Sequence, residues 1–102
     1  MYTTQQAQPQ QKTFVALQPK YCIAELIRKK YGELNFKKGL DDLQAHCRIK
    51  RKQTITYWLT IQAGDIKEIS HFVLKDLLTF FRLQEESQLF TQAHKDLLNL
   101  AR

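Results

Sequence analysis

The sequence predicts a small, helix-dominated domain. Three observations lead there: a length suited to one core, apolar residues recurring at helical spacing in four stretches, and Ser, Asn, Pro or Gly where those stretches begin and end. The chain has 102 residues and 43% hydrophobic content, enough for one modest core and too little for two. Residues 1–19 read as a flexible tail, because their Gln- and Thr-rich start has almost no large apolar side chains to offset the entropy of ordering. Residues 20–102 form the single domain.

Each element follows from its own pattern. Pro19 suits the first turn of a helix from about Lys20 to Tyr31, whose Ile23, Leu26, Ile27 and Tyr31 share one face and which Gly32 can end. Asn35 is a plausible N-cap for a second helix, in which Phe36, Leu40, Leu43 and Cys47 recur at i, i+4, i+7 and i+11. Gly39 within it weakens the helix by about 1 kcal/mol relative to Ala. A turn around Arg48 to Lys50 leads into Arg51–Ile61, where two patterns compete. A helix there buries Ile55, Trp58 and Leu59; a strand places Ile55, Tyr57, Leu59 and Ile61 on one face, with Thr54, Thr56 and Thr60 opposite. Local period and β-branched content favour the strand. Gln62 to Ile69 reads as a loop. Ser70 caps a helix from His71 to about Leu83 with a broad apolar face of Val73, Leu74, Leu77, Leu78 and Phe81. Ser87 begins a last helix with Phe90, Ala93, Leu97 and Leu100 on one side.

Charge is distributed unevenly. The formal net charge is +6, and the excess sits between Lys20 and Lys52. That stretch holds Lys20, Arg28, Lys29, Lys30, Lys37, Lys38, Arg48, Lys50, Arg51 and Lys52 against Glu25, Glu33, Asp41 and Asp42, while residues 53–102 are close to neutral. A localised excess of this kind is the footprint of a polyanion-binding face. Part of it has a structural reason, since Arg28, Lys29 and Lys30 fall in the last turn of the first helix, where cations complement the dipole.

Other function classes find little support. Cys22 and Cys47 lie far apart without a CxxC pair, and His46, His71 and His94 have no ligand spacing, so no metal site and no disulfide framework is expected. No catalytic constellation or Gly-rich phosphate loop is visible, and an enzyme, a cofactor or a small-molecule substrate is not expected. No run approaches the roughly 20 apolar residues of a membrane span, and the N-terminus lacks the features of a signal peptide, which points to the cytoplasm.

A helix, a short turn and a segment opening on Lys50-Arg51-Lys52-Gln53-Thr54 form an arrangement suited to DNA. A helix entering the major groove offers its first residues to base edges while the preceding helix positions it on the backbone. From about Leu40 to Leu83 the sequence resembles the Cro and phage-repressor-like (XRE-type) helix-turn-helix family. Leu43, Cys47 and Ile49 stand at the apolar positions of its second helix and turn. Thr54-Ile55-Thr56-Tyr57-Trp58 matches a Ser/Thr-Ile-x-x-Trp pattern in its recognition helix, and Gly64 to Ser70 leads into Leu74, Leu77 and Phe81 as in its following helix. The sequence departs from the family in the turn, where Arg48 replaces the usual glycine and which is one residue longer, and at Gln44, where a small residue is common.

The resemblance implies that 51–61 is a helix with Ile55 and Trp58 inward, and hence an all-α bundle of about five helices. It further implies a sequence-specific transcriptional regulator of double-stranded DNA. The base-reading candidates are Arg51, Gln53, Thr54, Thr56 and Tyr57; the phosphate candidates are Arg28, Lys29, Lys30, Lys37, Lys38, Arg48, Lys50 and Lys52. The C-terminal helix is the candidate interface for a homodimer. The alternative is a non-catalytic protein-interaction or winged-helix-like module of α+β fold, with a hairpin at about 54–70.

Overall fold

A computed structural model of the chain describes residues 18–100, and the tail expected at 1–19 lies outside them except for Gln18 and Pro19. Five α-helices follow one another: α1 (Ile23–Tyr31), α2 (Phe36–His46), α3 (Lys52–Thr60), α4 (His71–Phe81) and α5 (Gln92–Leu100). Short 3-10 turns, Glu33–Asn35 and Glu86–Leu89, precede α2 and α5. There is no β-sheet among the described residues, and the fold is an all-α bundle.

The 51–61 segment decides the fold class. Its helix turns Ile55 and Trp58 into the core, at 3% and 5% exposure, and leaves Tyr57 at 46%, with Ile61 buried just beyond the helix end. A strand would have turned Tyr57 inward and Trp58 out. β-propensity differences span only about 1 kcal/mol, whereas burying a large aromatic or aliphatic side chain contributes about 1.5–3 kcal/mol, so packing overrides the local preference. The hairpin expected as the alternative at 54–70 is therefore absent, and with it the winged-helix-like arrangement.

Two helix starts also differ from expectation. α1 begins at Ile23 rather than Lys20, and Pro19 is not in its first turn. Instead 18–22 is an extended strap: the Lys20 N–H donates to the Ile61 carbonyl (2.8 Å), the Ala63 N–H to Gln18 (2.8 Å), and the Cys22 N–H to Leu89 (2.8 Å). The last helix begins at Gln92 rather than Ser87, which lies in the 3-10 turn. Thr91 takes the capping role, its hydroxyl accepting from the His94 N–H (3.3 Å) while donating to the Pro19 carbonyl (2.6 Å). Ser70 caps α4 as its sequence suggests, accepting from the Val73 N–H (3.4 Å).

The core runs through all of α1 to α4. Ile23 and Ile27 from α1, Leu43 from α2, Ile55 and Trp58 from α3, and Leu74 and Leu77 from α4 meet there, with Leu89 sealing one end. Gly39 explains itself in this packing. A Cβ at that position would lie 2.6 Å from Ile27 Cγ2 and 2.8 Å from Tyr31 Cδ1, so the residue that weakens α2 locally lets α1 and α2 approach.

Candidate nucleic-acid interface

Cys47–Arg51 joins α2 to α3 and sets the direction of α3. The turn is a Schellman motif: the Ile49 N–H donates to the Gln44 carbonyl (3.0 Å) and the Arg48 N–H to Ala45 (3.2 Å). Arg48 therefore takes the left-handed conformation that glycine usually fills, with φ of 57°. Gln44, another departure from the family pattern, supplies a compensating lock, because its Nε2 donates to the Ile49 carbonyl at 2.9 Å. The far end of α4 uses the same device at Arg82, also at φ 57°.

α3 presents an electrostatically unusual N-terminus. Arg51 is the N-cap residue in extended conformation, no side chain caps the helix, and no acid occupies its first turn. Lys50, Arg51 and Lys52 are all exposed around this end. Three cations at the positive end of a helix dipole oppose the field by about 0.3–1 kcal/mol each when surface-exposed. The arrangement lowers the stability of the free protein and favours an anion at that point.

Beyond the first residue, the outer face of α3 is polar. Gln53, Thr56 and Tyr57 are exposed, whereas Thr54 is half-buried at the flank of the inward face. The Thr56 hydroxyl donates to the Lys52 carbonyl (3.3 Å) and keeps its lone pairs outward. Thr60 is exposed on the same face, one further turn along, and its hydroxyl donates to the Tyr57 carbonyl at 2.7 Å. Its spacing of seven residues from Gln53 is the signal that identifies it.

The phosphate candidates divide into separate groups. Lys37 and Lys52 line one cleft of about 170 Å³ between α2 and α3, together with Leu40, Asp41, Gln44, Ile55 and Thr56. Lys52 pairs with Asp41 across that cleft at 3.4 Å. Arg28 pairs with Glu33 (3.2 Å) and lies over the Phe36 ring, and Lys38 pairs with Asp42 (3.1 Å). Lys30 lies over Phe80 of α4, 5.4 Å from the ring centroid, and does not join the α2–α3 cleft. Among the described residues, Lys29, Lys37, Arg48, Lys50 and Arg51 have no acidic partner at ion-pair distance. Asp42 is held below the usual carboxylate range by the Tyr31 hydroxyl and by Lys38.

Lys20 belongs to the interior rather than to the basic face. It is 3% exposed, and its ammonium donates to the carbonyls of Asp65 (3.0 Å) and Lys67 (2.8 Å). His94 of α5 clamps the same loop, Nδ1 accepting from the Gly64 N–H at 3.0 Å. Burial, and next the nearby Lys20, hold His94 below its ordinary pKa, while Glu68 acts weakly the other way. Neither role is legible from local sequence, since one is a contact over 45 residues and the other over 30.

Trp58 and Cys47 are core groups. Burial, and then Asp76, push the Cys47 thiol up to about 11, far from thiolate chemistry. Among the described residues no cluster of His, Cys, Asp or Glu has metal-holding geometry, and no helix is long and apolar enough to cross a membrane. Comparison of the chain with protein-family models, with curated proteins and with solved structures finds no match.

Proposed function

We propose that this protein is a non-catalytic, sequence-specific regulator that binds double-stranded DNA in the cytoplasm, with α3 in the major groove. The observation that carries the reading is the uncapped N-terminus of α3 ringed by Lys50, Arg51 and Lys52. A helix end that no side chain caps and that carries excess positive charge gains most from a phosphate. The outward Gln53, Thr56 and Tyr57 then reach base edges, Gln suiting adenine and Arg51 suiting guanine. Lys37, Arg48 and Lys50 contact the backbone, and the XRE-type resemblance is consistent with this division of labour. Leu97, Leu98 and Leu100 leave an apolar surface on α5. A homodimer through it would set two recognition helices about 34 Å apart.

Binding to random and to selected duplexes over a salt series tests the proposal. Each lost phosphate contact flattens the log–log salt dependence by about 0.9, so replacing Lys50, Arg51 and Lys52 together by Ala is expected to flatten it by two to three such steps. Unchanged binding in that triple variant would sink the site. Selection from random DNA identifies the preferred sequence, and the absence of any enrichment would remove the claim of specificity.

A further inference from the structure

We infer that Asp41 is an intramolecular competitor for DNA phosphate: by holding Lys52 at the N-terminus of α3, it lowers the part of the affinity that every DNA sequence shares. The inference rests on the DNA-binding reading above. Three observations carry it. Asp41 Oδ1 lies 3.4 Å from Lys52 Nζ, and both side chains are about half-exposed or more, so the pair can open without moving the core. Lys52 is the first residue of α3, whose opening turn contains no acid of its own. Among the described residues, Asp41 is thus the acid that another helix brings to a cation at this helix end.

Asp41 also shares its cleft with Lys37, so its negative charge sits where a backbone phosphate would bridge α2 and α3. A phosphate that takes Lys52 must displace this carboxylate first. The net gain from Lys52 is then the difference between two ion pairs rather than the whole of one. Lys50 and Arg51, which have no such partner, contribute fully. Asp41 in this role restrains non-specific attraction without touching a base edge, and the ratio between specific and random sites is left to α3's outer face.

A double-mutant cycle tests it. The wild type, Asp41→Asn, Lys52→Ala and the double variant are titrated with a random-sequence duplex between about 50 and 200 mM salt. Asp41→Asn is expected to bind about two- to fivefold tighter at the low-salt end, with a slope steeper by about 0.9. In the Lys52→Ala background the same change should alter affinity by less than about 1.5-fold. Equal tightening in both backgrounds overturns the inference, because it shows Asp41 repelling phosphate directly; no tightening in either overturns it as well. Thermal unfolding of all four proteins confirms that they are folded. A wild type without salt-dependent duplex binding removes the DNA reading and this inference together, whereas a binding wild type with an inert Asp41→Asn removes only the inference.

Discussion

Arg48 carries two opposing requirements. Its left-handed backbone costs about 1–2 kcal/mol for a residue with a Cβ, and a glycine there would recover that less about 0.5–1 kcal/mol of extra unfolded-state entropy. Arg48→Gly is therefore expected to leave stability unchanged or raise it by up to about 1.5 kcal/mol, measured by urea unfolding. The same variant is expected to weaken DNA binding and flatten the salt slope by about 0.9. Opposite signs in the two measurements identify a side chain retained for its charge at a position where the backbone prefers glycine. If stability falls instead, the Schellman turn depends on Arg48 for packing. The positions of Arg51, Gln53, Thr56 and Tyr57 on the outer face of α3 were legible from helical spacing once the segment was taken as helix. The pairing of Lys38 with Asp42, four residues on in the same helix, and of Arg28 with Glu33 is local in the sequence, whereas the engagement of Lys52 by Asp41 was not legible, because it depends on where α2 and α3 meet.

At the scale of elements, α2 shows how a local rule can be outweighed. Gly39 lowers helix propensity by about 1 kcal/mol, yet its missing Cβ accommodates Ile27 and Tyr31 of α1. Gly39→Ala is therefore expected to destabilise by about 1–3 kcal/mol, the usual cost of overpacking, despite forming a better isolated helix. Thermal unfolding checks this, and a stabilised variant would mean that α1 can move away at little cost. α3 is the second case. Its threonines and isoleucines suit a strand, and the joint burial of Ile55 and Trp58 in the shared core is what makes it a helix.

For the molecule as a whole, the strap at 18–22 and α5 hold the loop that connects α3 to α4. Lys20 pins it through two carbonyls and His94 through the Gly64 N–H. His94 is 4% exposed and must be neutral to accept that hydrogen bond. Its folded pKa lies below the unfolded value near 6.5, so the unfolded chain binds more protons in the interval between them. Stability contributed by His94 is thus complete above about pH 6.5 and declines as pH falls toward and through the folded value. The facing charges are Lys20 on the strap, which strengthens this effect, and Glu68 on the loop, which opposes it. Urea midpoints between about pH 7.5 and 5 are expected to drop in the wild type and to drop less in His94→Gln, whose amide accepts without titrating. Identical pH profiles would show that other groups govern the decline.

The sequence by itself determined four of the five helices, most of their apolar faces, the single core and the concentration of charge between Lys20 and Lys52, because these depend on spacing and composition along the chain. Only the tertiary structure decided that 52–60 is a helix, that Pro19 and Lys20 form a strap, that α5 starts at Gln92 and that Asp41 meets Lys52. Each of these is fixed by contacts between separate elements of the fold. Burial and hydrogen bonding across such contacts outweigh local preferences of about 1 kcal/mol, and a one-dimensional pattern carries no record of them.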